Sequence, residues 1–367
     1  MRPLGMGLLA LTLALTACSS DSEPNEEPQP AAEWSVSGAL ADVPDAAASG
    51  RVWLQTADLA TGVELAGLQR GGPSLDWLNP LTGIVDPGAQ PAPVFVPLPA
   101  ALNPIQGQEQ MEKVLGFNLD AVDTYVTQEA PPLEFSVLRG ADLGADALSD
   151  ALLEEGGVLT DVQGEDLQVG LDRADALSAL GRPTRISAVE HAVAMSSSTP
   201  LVQQWREDGK ALADRAGLAA VAEALDDGGA YAAVITDAVP GVLSGVQPGA
   251  TPAQAKQLLE ELEQQVPAAP FDVIGIGWAL DGGEARVHVA YHFGEADSAA
   301  TGAEVLEKAW VEGTSLRTQR PLADLVKVLD TEARGNVVVV TLTPTEGQSP
   351  QLVLNMLTSQ ESVFFSR

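Results

Sequence analysis

Cysteine is almost missing from this sequence. Cys18 stands alone in 367 residues, which excludes an internal disulfide and any cysteine-based metal site. Histidine is nearly as scarce, with three residues, so few imidazoles are at hand for a metal centre. Basic residues are also few: 19 Lys and Arg face 51 Asp and Glu, and the formal net charge is −32. The basic residues are scattered, so no groove that tracks phosphates is expected and nucleic acid is not a partner. The same charge keeps the folded part off anionic lipid unless something else supplies membrane affinity. Apolar runs of the length needed to span a bilayer, about 20 residues, are lacking too.

What is present at the amino terminus is more specific. A positive start at Arg2 is followed by an apolar stretch from Leu4 to Ala17, the parts of a secretory signal. It ends in Leu15-Thr16-Ala17-Cys18, a bacterial lipobox. Residues 1–17 are therefore expected to be a lipoprotein signal peptide, with Cys18 taking the diacylglyceryl (palmitate-type) anchor. Residues 18–33 carry no large apolar side chain after Cys18 and read as an acidic, solvated tether. The expected location is the extracytoplasmic face of the cell membrane, lipid-anchored, with the membrane as partner through Cys18. The expected folded part begins near Trp34.

Two α+β domains are expected, covering residues 34–245 and 246–367. Arg51–Ala57 reads as a strand and Asp58–Leu68 as a short helix. Residues 71–104 hold eight prolines and form an extended arm whose Trp77, Leu78, Phe95 and Val96 must pack on something. Leu133–Leu138 alternates as a strand, Gly144–Glu155 reads as a helix through Leu148 and Leu152, and Val158–Gly170 reads as paired strands around Gly164. Arg185–His191 is a strand, a helix surrounds Trp205, Gly217–Asp226 is a helix, and Tyr231–Thr236 is a strand. Thr251-Pro252-Ala253-Gln254 opens a helix with Ala255, Leu258, Leu259, Leu262 and Val266 on one stripe. In the second domain Phe271–Leu280 and Glu284–Phe293 form a hairpin across Asp281-Gly282-Gly283. Helices at 298–311 and 321–330 and a strand at 336–342 follow. Matches at an offset of 104, such as Leu218 with Leu322 and Asp226 with Asp330, mark the second domain as a repeat of residues 133–236. The fold expected is α+β, two duplicated modules of mixed or antiparallel sheet with helices on one face.

Arg51–Leu59 with Glu64–Leu68, and Leu115–Asn118 followed by Ser136–Gly140, resemble uncharacterised exported lipoproteins of actinobacteria. The resemblance spans Trp34 to Thr236, is structural rather than catalytic, and implies a membrane-tethered α+β protein with no known activity.

Little in the sequence points to chemistry. His288 and His292 share one strand face but lie roughly 13 Å apart at 3.3 Å per residue, too far for one metal ion. Val287, Val289 and Tyr291 point inward on the other face. Glu190 and His191 point to opposite faces. Gly275-Ile276-Gly277 lacks the third glycine and the following helix of a dinucleotide loop, and reads as glycines permitting close packing. No catalytic, metal or cofactor-binding residue is assigned, and no cofactor is expected; Cys18 is the one assigned site. Two functions follow: a non-catalytic binding or scaffold lipoprotein with an unknown protein partner, or a carrier of an apolar small molecule or lipid. An enzyme with no recognisable motif ranks third.

Overall fold

The segment Asp281-Gly282-Gly283-Glu284 is a two-residue hairpin turn. Both glycines have positive φ (58° and 85°), the geometry whose twist matches the flanking strands. The computed structural model describes residues 34–367 except 46–50, 72–73, 85–89, 100–101, 103–107, 175–176, 179, 208, 246–250 and several positions between 252 and 264. Cys18, the signal segment and the tether lie outside the described residues, as do Ala255 and Leu258 of the expected helix after Thr251. No described helix is long and apolar enough to cross a membrane.

In chain order the elements are α1 (Val36–Ala41), β1 (Trp53–Asp58), α2 (Leu59–Leu65), α3 (Ser74–Leu81), α4 (Gln108–Leu115), β2 (Thr124–Ala130) and β3 (Leu133–Arg139). Then come β4 (Leu153–Glu155), β5 (Val158–Thr160), β6 (Arg185–Val189), β7 (Ala192–Ser196), α5 (Thr199–Arg206), α6 (Ala216–Asp227) and β8 (Ala232–Thr236). The last are β9 (Phe271–Asp281), β10 (Glu284–Phe293), α7 (Ala296–Glu312), β11 (Val326–Arg334), β12 (Val337–Pro344) and α8 (Leu352–Thr358). The described strands form one antiparallel sheet of twelve, ordered β11-β12-β10-β9-β8-β1-β2-β3-β7-β6-β5-β4. The class is α+β. The boundary expected at 245/246 falls in the connection between β8 and β9, which are paired neighbours, and Trp34–Arg367 is a single compact unit.

Helices cover both faces of the sheet, not one as expected. Alternation explains this: strand residues on each face are apolar, so each face needs a cover. One face carries Tyr125, Ile276, Trp278, Val289 and Tyr291 under α3, α7 and α8. The other carries Leu54, Val126, Phe135, Ile235 and Ala290 under α1, α5 and α6. On that second face Gly275 and Gly277 let α6 lie flat on β9: a Cβ on Gly275 would stand 2.3 Å from a Val221 methyl. The α1 amino terminus is tied to α6, since the amides of Val36 and Ser37 donate to the Asp226 carboxylate at 2.6 and 3.0 Å and the Ser37 hydroxyl donates at 2.6 Å.

Three local expectations fail. Residues 144–155 hold a 3-10 turn (Ala145–Ala147) and then β4, because Asp146, Asp150 and Glu154 would stack like charges four apart along a helix. Residues 321–330 hold a 3-10 turn (Leu322–Asp324) and then most of β11, pairing with the Val-rich β12 across a turn at Gly335-Asn336. The offset of 104 therefore sets helix α6 against strand β11, and those matches do not join equivalent elements. The second strand expected before Gly170 is instead a loop around buried Arg185, whose guanidinium donates to Asp166 (2.8 Å), Glu155 (2.9 Å) and the Gly164 carbonyl. A buried cation must be satisfied, and the loop brings Gly164 and Asp166 to it while β4 supplies Glu155. Edge strand β11 bears Lys327, Asp330, Glu332 and Arg334 and a bulge near Leu329, devices that discourage pairing with other chains.

Candidate functional site

The expected histidine positions come out as a mixture. His288 and His292 do share the face opposite Val287, Val289 and Tyr291, but both are buried, because α6 crosses them with Gly217 over His292 and Gly228 over His288. Nδ1 of His292 pairs with Asp272 at 2.6 Å and Nε2 faces the Asn336 amide at 2.8 Å. Nδ1 of His288 meets the Thr341 hydroxyl at 3.1 Å, and burial holds its pKa below the usual histidine value. The two rings thus have separate partners and act as packing and hydrogen-bonding posts beneath α6. His191 is not in a strand; it occupies the β6–β7 turn with φ of 62°, exposed, against the Ala141 carbonyl at 2.8 Å. Among the described residues no group of three or more His, Cys, Asp or Glu is placed to hold a metal ion.

Two clefts were not anticipated. The first, of about 300 Å³, opens on the α3/α8 face. Its floor is Trp53 and Gln55 of β1, one wall is Leu78 and Asn79 of α3 with Thr82 and Ile84 just after it, and another is Phe95–Leu98 of the Pro-rich arm. Gln351, Leu354 and Thr358 of the α8 segment complete it. The arm packs on its own unit: the Val96 amide donates to Leu81 (2.8 Å), the Phe95 amide to the Tyr231 hydroxyl (3.0 Å), and the Tyr125 hydroxyl to the Pro97 carbonyl. Phe95 sits edge-on to Trp278 at 5.0 Å, and the Trp278 indole donates to the Pro350 carbonyl at 3.0 Å, fixing the approach to α8. Trp77 donates to Asp120 at 3.0 Å and is covered by Arg70 at 5.5 Å, which holds α3. The walls are therefore set before any ligand arrives.

Beside this cleft lies a pair of carboxylates. Glu129 and Glu134 are directly opposed across the β2–β3 hairpin, and Gln55, a cleft residue, donates to Glu129 at 3.3 Å. One oxygen of Glu134 is buried without a hydrogen-bond partner. Burial, and then the neighbouring Glu129, push the Glu134 pKa up to about 7; burial also raises Glu129. The signal for this pair was in the sequence, since Glu129 and Glu134 are equidistant from Pro131-Pro132 and a tight hairpin there must bring them face to face.

The second cleft, of about 330 Å³, lies on the α1/α5 face. Asp42, Arg139, Trp205, Arg206 and Lys210 line it, with Ala41, Pro44, Val189, Gln204, Gly209 and Ala211.

No protein-family model and no curated protein matches the chain. A solved structure described as crystal form I of TP0453 aligns over 89% of this chain and 97% of its own, at 8% identity and a TM-score of 0.34. A likeness that slight carries no argument about fold or function.

Proposed function

We propose that this chain is an extracytoplasmic lipoprotein, held to the membrane through acylated Cys18, that binds a small apolar ligand without transforming it. The observation that carries the ligand reading is the preformed cleft between β1, α3, the arm and α8. Trp53, Leu78, Phe95 and Leu354 give it apolar walls, and the amides of Gln55, Asn79 and Gln351 give it a few orienting groups. That is the usual make-up of a small-molecule pocket, and about 300 Å³ stands at the small end of the usual range. One ring system or a short chain suits this volume, so a whole diacyl lipid is not the cargo. The lipobox Leu15–Cys18 supports the membrane address.

The internal repeat is read in a new frame. The strand order β1-β2-β3-β7-β6 recurs as β8-β9-β10-β12-β11, with β1 and β8 meeting at the centre. We take this as a duplication of residues 53–196 in 232–344, with β4 and β5 inserted in the first copy where α7 lies in the second; α5 and α8 lie on opposite faces of the sheet and fall outside it.

Native mass spectrometry of the protein from its own host, with solvent extraction alongside, tests the binding reading. A stoichiometric apolar molecule, lost in Leu354→Trp, is the expected result. A clean apo mass, together with equal uptake of apolar probes by the wild type and Leu354→Trp, would overturn it and leave a scaffold role.

A further inference from the structure

The second cleft stands out by charge. Among the described residues, its lining brings Arg139, Arg206 and Lys210 together against one acid, Asp42, in a chain of net charge −32. Arg139 is already committed: its Nε and Nη2 clasp the Asp42 carboxylate at 2.7 and 2.5 Å. Arg206 and Lys210 have no ion pair among the described residues, and both are exposed and line the cleft. Arg206 also lies in the last turn of α5, where a cation suits the helix dipole, but that accounts for neither Lys210 nor the concavity. Trp205 lines the same cleft, half-buried and packed against the core.

The surround is rigid. The Lys210 carbonyl accepts from the Asp45 amide at 2.7 Å and the Gln204 side chain at 3.2 Å, and the Leu212 amide donates to Val43 at 2.9 Å. Segment 210–212 is thereby fixed to the chain that follows α1. Two free cations beside an indole in a preformed concavity match one kind of ligand. The acidic surface repels anions at long range, but screening over about 8 Å lets the local pair prevail at contact.

We propose that this cleft binds a small organic oxyanion, a carboxylate or phosphate ester with a flat apolar body. The oxyanion sits between Arg206 and Lys210, and the body lies against Trp205. The site is on the opposite face from the apolar cleft and stands or falls independently of it.

Calorimetric titration of the full chain in neutral detergent tests this, with phenyl phosphate and benzoate as probes, benzyl alcohol as the uncharged analogue and Arg206→Gln/Lys210→Gln as the variant. The expected result is saturable one-to-one binding of at least one anion. Loss of the charged contacts in the double variant, or of the charge in benzyl alcohol, should weaken it by about tenfold or more. Whichever of phosphate and carboxylate binds better names the headgroup. Trp205→Phe should weaken the anion less than the double variant does. Absence of saturable binding, equal affinity in the double variant, or equal affinity for benzyl alcohol would each overturn the proposal.

Discussion

Replacing Glu134 with Gln should stabilise the protein at neutral and alkaline pH and leave it nearly unchanged in mild acid. The carboxyl faces Glu129 across the hairpin and has one oxygen buried without a partner, so its charged form is disfavoured in the folded state. Between the ordinary value of 4.5 and the folded value of about 7, the native chain holds a proton the unfolded chain has released. Stability therefore falls as pH rises through this window and levels off above it. One unit corresponds to about 1.4 kcal/mol, so the full window corresponds to about 3 kcal/mol. The amide of Gln mimics the protonated acid and removes that loss, and it also relieves Glu129. Urea unfolding followed by tryptophan fluorescence, at about pH 5 and about pH 8 in both proteins, gives the difference directly. Subtracting variant from wild type cancels the general repulsion of an acidic chain, which both share. If Glu134→Gln were no more stable than wild type at the higher pH, or its advantage were the same at both, the assignment of a strained, proton-binding carboxyl would be wrong.

Three further outcomes follow from the packing and the address. Gly275→Ala should cost about 1–3 kcal/mol, because its Cβ would meet Val221 at 2.3 Å, and Val221→Ala in the same chain should restore part of it; thermal unfolding of the pair reads this. Asp226→Ala removes the acceptor for three α1 donors and should cost about 1–2 kcal/mol in denaturant unfolding. Cys18→Ala should leave the circular dichroism of the folded unit unchanged and move the protein from the membrane to the soluble fraction. Retention in the membrane fraction would refute the anchor.

Elements whose instructions are local were legible in the sequence. The β9–β10 hairpin follows from two adjacent glycines between alternating strands, and α6 follows from Leu218, Val221 and Leu225 on one stripe. The same alternation placed His288 and His292 on one face. What it could not supply was the cover: both rings are buried because α6, some 70 residues earlier in the chain, is laid across them with a glycine over each. Residues 144–155 and 321–330 have apolar spacings of three and four that fit a helix and also suit short strands with a turn. The choice went to the form that gained a partner, β5 in one case and β12 in the other. Both clefts escaped detection for a related reason. The walls of the apolar cleft come from β1, α3, the arm and the α8 segment, and those of the charged cleft from α1, β3 and the end of α5. No spacing in a linear chain records which distant surfaces will meet. Composition, turns and faces are properties of neighbours in sequence, and the sequence alone determined them. Cavities, buried charges and the pairing of β8 with β9 across the expected boundary depend on contacts between distant segments, and only the tertiary structure decided those.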